Sequence, residues 1–118
     1  ILQMTRAEVE TAENGKIAVE KVEASPKGSY DFIFMDAAKG QYIHFMPEIF
    51  RLLKPEGILV SDNVLQDGDI IESHFIVTRR NRTIYKRMRE YLYELTHSDE
   101  LVTSVLPIGD GITVSVKK

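Results

Sequence analysis

Residues 30–36 read YDFIFMD, a short apolar stretch that ends in an aspartate. All but one of the six residues Tyr30–Met35 are apolar, and a turn-forming cluster, SPKGS, precedes them. A run of this length between turns is typical of a strand that is buried on both faces of a parallel sheet. A second apolar run, ILV at residues 58–60, leads into Ser61-Asp62-Asn63. The two runs predict two buried strands of an α/β sheet.

Helix and strand patterns surround these two runs. We predict a short strand at 1–4, helices at 7–24, 41–53 and 81–95, an irregular stretch at 63–78, and an antiparallel hairpin of strands 101–106 and 112–116. Lys54-Pro55-Glu56-Gly57 should end the second helix, and Gly109-Asp110-Gly111 should form the hairpin turn. This order predicts an α/β sheet that is parallel at first and closes with an antiparallel hairpin.

The composition excludes several classes of protein. The chain has 118 residues, enough for one domain, with 43% apolar and 28% charged residues. A net charge of −3 gives no overall attraction to nucleic acid or membrane, and the lack of cysteine excludes disulfides and thiolate zinc sites. No apolar run approaches the roughly 20 residues that span a bilayer. We therefore expect a cytoplasmic protein with no membrane partner.

Polar side chains follow both apolar runs. Asp36 comes directly after the first, and Asp62 and Asn63 follow the second. Ligands of such sheets bind at the carboxyl ends of the strands, so these residues converge if the strands are adjacent. Two carboxylates and an amide oxygen suit Mg²⁺, Ca²⁺ or Mn²⁺. Lys39 could reach the same edge. The alternative is that these Asp and Asn residues only cap helices or form turns.

Two stretches carry a family resemblance: residues 30–42, YDFIFMDAAKGQY, and residues 52–65, LLKPEGILVSDNVL. Together they resemble the cation-dependent O-methyltransferases, which include the caffeoyl-CoA and catechol O-methyltransferases. The DAAKGQY form and PIGDGI at 107–112 are most similar to a bacterial branch that methylates 5-hydroxyuridine in tRNA. The resemblance implies a partial Rossmann-like methyltransferase sheet. In the family the strand order is 3-2-1-4-5-7-6, and this chain would hold strands 3 to 7.

The resemblance also implies roles for matching positions. Asp36, Asp62 and Asn63 would bind a divalent cation, usually Mg²⁺, and Lys39 would act on the acceptor hydroxyl as base or electrostatic guide. Asp36 would also lie near the methionine end of S-adenosylmethionine. The acceptor would be a small hydroxylated aromatic or a hydroxyuridine in tRNA.

Three departures from the family pattern affect these roles. Thr5-Arg6-Ala7 stands where relatives carry Gly-Asp-Ala, so Arg6 and Ala7 take the cofactor-binding positions with a changed side chain. Many plant relatives have a second acid at the position of Ala38. The family's Gly-containing cofactor loop would precede Ile1, so we expect the chain to be the C-terminal portion of one methyltransferase domain and to be inactive by itself.

The missing first strand has a structural consequence. It would normally cover one edge of the strand at 32–35, and an uncovered apolar edge pairs readily with another chain. We therefore expect a homodimer, a swapped assembly or a longer parent protein. Two other functions stay open: a non-catalytic binding or dimerisation module, and an unrelated α/β domain with aspartates in turns.

Six cationic side chains crowd residues 79–89. They are Arg79, Arg80, Arg82, Lys86, Arg87 and Arg89. They could form a phosphate-binding face for tRNA, or they could be a solvated helix face.

Overall fold

A computed structural model describes residues 6–9, 15–65 and 82–118 of the chain. Its elements are α1 Gly15–Ala24, β1 Tyr30–Met35, a 3₁₀ turn Lys39–Gln41, α2 Tyr42–Leu52, β2 Leu53–Asp62, α3 Arg82–His97, β3 Leu101–Leu106 and β4 Ile112–Lys117. None of the helices in these ranges combines the length and apolar character needed to cross a bilayer.

The four described strands form one sheet in the order β1-β2-β4-β3. β1 runs parallel to β2, and β4 is antiparallel to both β2 and β3. The predicted α/β class, the parallel pair and the closing hairpin are confirmed. The order also matches the 4-5-7-6 part of the order implied by the resemblance, and it leaves β1 at an edge. The predicted strand at 1–4 and most of the irregular stretch lie outside the described residues.

One face of the sheet carries the core. The helices α2 and α3 place apolar side chains at helical spacing against it, and these side chains are buried. The buried cluster is Met35, Tyr42, Met46, Ile49, Leu53, Leu59, Val64, Tyr85, Met88, Tyr91, Leu95 and Leu101. The apolar spacing of residues 81–95 also predicts that Ile84 faces the core, but Ile84 is exposed and its neighbour Tyr85 is buried instead.

The opposite side of the sheet is an exposed apolar surface. Phe32 lies opposite Ile58, Ile58 opposite Val116, and Val116 opposite Val102. All four side chains are exposed, and Phe34 on the same side of β1 is 55% exposed. We call these five residues the open face. The prediction that β1 is buried on both faces was therefore wrong. The helices α2 and α3 cover the face that carries the core and leave the open face exposed.

Two element boundaries differ from prediction. Residues 6–9 are not helical, and the described part of α1 begins at Gly15. Val9 is one of the apolar residues whose spacing predicted a helix from residue 7. It is 40% exposed, so it adds little packing to hold a helix there. β2 begins at Leu53 rather than at 58, because the buried Leu53 pairs with Tyr30. Glu56 then adopts a left-handed φ of 68° at a shift of register, as in a β-bulge.

A lysine near the end of the chain caps α2. The Lys117 ammonium donates to the carbonyls of Phe50, at 2.5 Å, and Leu53, at 2.9 Å. These groups lie at the C-terminal end of the helix, where carbonyls lack partners within the helix and a positive charge is favourable. The contact joins β4 to α2.

We expect Lys117→Met to lower the free energy of unfolding by about 1–2 kcal/mol, because it removes a charged donor from two carbonyls. Urea denaturation of the variant measures this loss. Lys118→Met, at an exposed neighbouring position, is the matched control and should unfold at the wild-type midpoint. Equal midpoints for the two variants would show that the cap contributes nothing.

Candidate functional site

Strands β1 and β2 end side by side. Met35, the last residue of β1, lies opposite Ser61 of β2 in parallel register. Asp36 follows Met35 directly, and Asp62 is the last residue of β2. The predicted adjacency of the two strands is therefore confirmed, and both carboxylates lie at the same edge of the sheet. Asp36 is exposed and Asp62 is half-buried.

The backbone after Asp62 is held in a fixed turn. The Asn63 backbone N–H donates to Oδ1 of Asp62 at 2.8 Å, and Asn63 adopts a left-handed φ of 56°. The N–H of Val64 then donates to the Gly111 carbonyl at 3.1 Å. Asparagine tolerates this conformation better than most residues. Asp62 thus has a turn role through one carboxylate oxygen, and no described residue donates a hydrogen bond to its second oxygen.

A buried tyrosine lies beneath both acids. The Tyr42 hydroxyl is 3.0 Å from the Asp62 carbonyl and 3.3 Å from the Met35 carbonyl. Burial raises the pKa of Tyr42, a hydrogen bond from the Ala37 backbone opposes the rise, and the charges of Asp36 and Asp62 add to it. Both carboxylates therefore act on one phenol oxygen. The sequence indicates only that Tyr42 is one of the apolar positions of the helix predicted at 41–53, because periodicity does not show what its hydroxyl contacts.

A second tyrosine supports the first. The rings of Tyr42 and Tyr91 meet edge to face with centroids 5.3 Å apart. The Tyr91 hydroxyl shares a 2.5 Å hydrogen bond with Ser61 Oγ. Burial raises the pKa of Tyr91 to about 12, although the bond to Ser61 opposes the rise. The two rings form a rigid layer below the ends of β1 and β2.

Stability should consequently fall in strong alkali. An unfolded tyrosine ionises near pH 10, whereas Tyr91 stays neutral in the folded protein up to about pH 12. Between these values the unfolded state binds fewer protons, so the free energy of unfolding decreases as pH rises, by about 2 kcal/mol from this group. Urea denaturation from pH 9 to 11.5 measures the slope. Tyr91→Phe should flatten it in part, leaving a share from Tyr42; an unchanged slope would contradict this assignment.

Lys39 lies in the 3₁₀ turn that links Asp36 to α2. The Gln41 N–H closes this turn on the Ala38 carbonyl at 2.8 Å, and Arg87 of α3 donates to the Gly40 carbonyl at 3.3 Å. Arg87 therefore supports the segment that carries Lys39. Nothing in the sequence pattern indicated this role, since Arg87 was grouped with the other cations of residues 79–89.

The rest of the basic stretch is mixed in charge. Arg89 donates to the Tyr85 hydroxyl at 2.8 Å and its guanidinium lies over that ring, 5.6 Å from the centroid. Arg82 and Lys86 are exposed. Together with Glu90 they line a shallow hollow along α3. Arg79 and Arg80 lie outside the described residues. This surface includes the Glu90 carboxylate, and Arg89 bonds to Tyr85 within the protein. It should therefore attract a polyanion such as tRNA less strongly than a surface of six unpaired cations.

The remaining predicted cofactor residues are exposed. Arg6 lies in a turn and Ala7 in the irregular segment that follows it. Their role toward a cofactor stays a prediction.

The donor set suits a hard divalent cation. Asp36 and Asp62 supply carboxylates and Asn63 an amide oxygen, the ligand type that Mg²⁺ and Mn²⁺ prefer. In the part of the chain that the structure describes, His, Cys, Asp and Glu form no metal-binding group of three. A cation here would therefore depend on the amide, and on water or substrate for its other positions.

Known proteins resemble this chain in sequence and in fold. The family model for O-methyltransferases matches residues 4–118. Caffeoyl-CoA O-methyltransferase 1 of Eucalyptus globulus is 31% identical over 97 residues, which cover 79% of this chain and 38% of that enzyme. A Staphylococcus aureus protein classed as a caffeoyl-CoA O-methyltransferase is 34% identical, with a TM-score of 0.73 over 86% of this chain and 48% of that one.

A crystal structure of a Podospora anserina methyltransferase with bound SAH is 25% identical, with a TM-score of 0.64 over 78% of this chain and 43% of that one. The chain spans less than half the length of each of these three relatives. The match of the family model to nearly the whole sequence excludes an unrelated α/β domain. The chain belongs to the O-methyltransferase family.

Proposed function

We propose that the chain is the C-terminal portion of a single cytoplasmic methyltransferase domain that moves a methyl group from S-adenosylmethionine to a metal-bound hydroxyl. One observation supports this above all others: Asp36 and the Asp62-Asn63 pair follow adjacent parallel strands at one edge of the sheet. That edge is where open α/β sheets bind their ligands.

Asp36, Asp62 and Asn63 would hold the cation, with Mg²⁺ the first choice because all three donors are oxygens. A cation at this place would lower the pKa of the acceptor hydroxyl and fix its position. The structure supports two features of such a site. Asp62 is already oriented by the Asn63 N–H, and Asp36 is exposed and accessible to an acceptor.

Lys39 is proposed to act beside the acceptor, as the base that removes its proton or as a charge that attracts the oxygen. Its place in a short turn fastened by Arg87 supports a fixed position for its backbone. S-adenosylmethionine supplies a methyl group on a sulfonium, which an oxygen nucleophile accepts. Asp36, Arg6 and Ala7 are proposed as its contacts, and the SAH-bound relative supports a cofactor of this kind.

A small hydroxylated aromatic is the proposed acceptor. Relatives named for caffeoyl-CoA support it. The tRNA alternative depends on the basic stretch, where Arg87 and Arg89 already bond within the protein. Metal titration in the presence of each acceptor separates them: a catechol should lower the dissociation constant for Mg²⁺, whereas a tRNA anticodon stem-loop that carries 5-hydroxyuridine should not.

Isothermal titration tests the proposal against a non-catalytic module. We expect Mn²⁺ or Mg²⁺ to bind to the chain, and S-adenosylmethionine to show no measurable binding to this portion alone. Tight S-adenosylmethionine binding would contradict the incomplete pocket. Absence of metal binding at millimolar concentrations would favour the module.

The non-catalytic alternative is favoured by the open face and by the position of β1, which pairs on one side only with a described strand. Phe32 and Phe34 of β1 are 48% and 55% exposed. Apolar surface of this kind on a free edge promotes association with another chain. We propose a second copy of this chain as the partner, and the same contact would serve a catalytic or a non-catalytic assembly.

We expect Phe34→Lys to convert the dimer to a monomer, because it places a charge on the open face at the free edge. Sedimentation velocity measures the mass. Tyr93→Lys is the matched control, since Tyr93 is also an exposed aromatic, at 59%, but lies on α3. A wild-type chain that sediments as a monomer at 100 μM would contradict the homodimer and point to another segment or protein as the cover.

A further inference from the structure

We propose that Tyr42 sets the spacing of the two acids at the candidate metal site, as a positioning residue that touches neither metal nor substrate. This inference rests on the proposed function. Its basis is the position of one phenol oxygen, which lies within hydrogen-bond distance of the carbonyl of Met35, the residue before Asp36, and of the carbonyl of Asp62.

The hydrogen bonds around this oxygen span the gap between β1 and β2. The hydroxyl has one hydrogen to donate, and two carbonyls lie within reach as acceptors, Asp62 at 3.0 Å and Met35 at 3.3 Å. Met35 directly precedes Asp36 in the chain. The phenol therefore restrains the backbone of both metal-binding segments at the point where regular sheet pairing ends.

Tyr42 is itself held in place. Its side chain is fully buried, and Tyr91 packs edge to face against it. A buried ring with one rotamer is a rigid reference for the loops above it. Hydrogen bonds behind a metal site typically tune its affinity by 10–100-fold, because they orient the ligands before the metal arrives.

Tyr42→Phe tests this role, with Tyr85→Phe as the matched control. Both changes remove one hydroxyl from a buried ring of the same core, but the Tyr85 hydroxyl accepts from Arg89 on α3 and not from a group beside Asp36 or Asp62. The dissociation constant for Mn²⁺ is measured by the electron paramagnetic resonance signal of the free ion, and thermal melting measures stability. We expect Tyr42→Phe to weaken Mn²⁺ binding about 10-fold or more, and Tyr85→Phe less than about twofold.

Equal dissociation constants for wild type and Tyr42→Phe would overturn the inference and leave the proposed metal site intact. Equal weakening by both variants would also overturn it, since the effect would then be one of core stability. A wild-type chain that binds no Mn²⁺ would overturn the proposed site and the inference together. Should Tyr42→Phe not fold, Mg²⁺ titration of wild type labelled with ¹³C at tyrosine Cζ gives the answer. A Tyr42 shift that saturates with the metal supports the role, and an unmoved Tyr42 signal overturns it.

Discussion

Asp62→Asn should raise the dissociation constant for Mn²⁺ by at least about 100-fold, because it removes one of only two negative charges from the proposed site. Little else should change in the fold. The asparagine Oδ1 can still accept the hydrogen bond that Asp62 receives from the Asn63 N–H at 2.8 Å. Isothermal titration with Mn²⁺ measures the affinity, and circular dichroism checks the fold.

The matched control is Asp31→Asn. Asp31 is an exposed aspartate of β1 whose carboxylate pairs with Lys54 at 3.1 Å, far along the strand from Asp36. The same chemical change there should leave Mn²⁺ affinity at the wild-type value. If Asp62→Asn binds Mn²⁺ with the wild-type dissociation constant, Asp62 is only a turn residue. That result would favour the alternative that these Asp and Asn residues only cap helices or form turns.

Gly111→Ala should cause the largest loss of stability, about 3 kcal/mol or more. Gly111 has a left-handed φ of 89°, which costs an alanine about 1–2 kcal/mol. A Cβ at this place would also lie 2.3 Å from Cγ and 2.8 Å from Cβ of Leu65, so that residue must move. The Gly111 carbonyl accepts from the Val64 N–H at 3.1 Å, and the movement would therefore reach the turn that carries Asn63.

Gly109→Ala separates the two causes. Gly109 also has a left-handed φ, 55°, but a Cβ there would meet nothing within 4 Å. We expect it to cost about 1 kcal/mol, the backbone share alone. Urea denaturation of both variants measures the difference. Equal losses would show that Leu65 does not press on the hairpin turn.

Local pattern was enough to predict much of the fold. The apolar run Tyr30–Met35, the helix at 82–97 and the hairpin were each predicted to within a few residues, because periodicity and turn residues are properties of neighbouring positions. The adjacency of β1 and β2 followed from the family resemblance and from topology. This adjacency also predicts that Asp36 and Asp62 lie at the same end of the two parallel strands.

The contacts that hold the site were not predictable in this way. Tyr42 reaches Asp62 across 20 positions, Arg87 reaches Gly40 across 47, and Lys117 reaches Phe50 across 67. Each depends on how helices pack on the sheet, which side-chain periodicity does not encode. The exposed open face has a similar explanation. An apolar run shows that a strand suits burial, but it does not show whether a covering layer is in the same chain.

The side chains of Asp36, Asp62 and Asn63 are proposed to share one small space and to bind one divalent cation. Diffraction from crystals of the chain soaked in Mn²⁺, recorded at the manganese absorption edge, tests this site directly. We expect one anomalous peak, about 2.0–2.3 Å from carboxylate oxygens of both aspartates and from the Asn63 amide oxygen. A map at full soak with no peak there, or with Asp36 turned away from the Asp62-Asn63 pair, would contradict it.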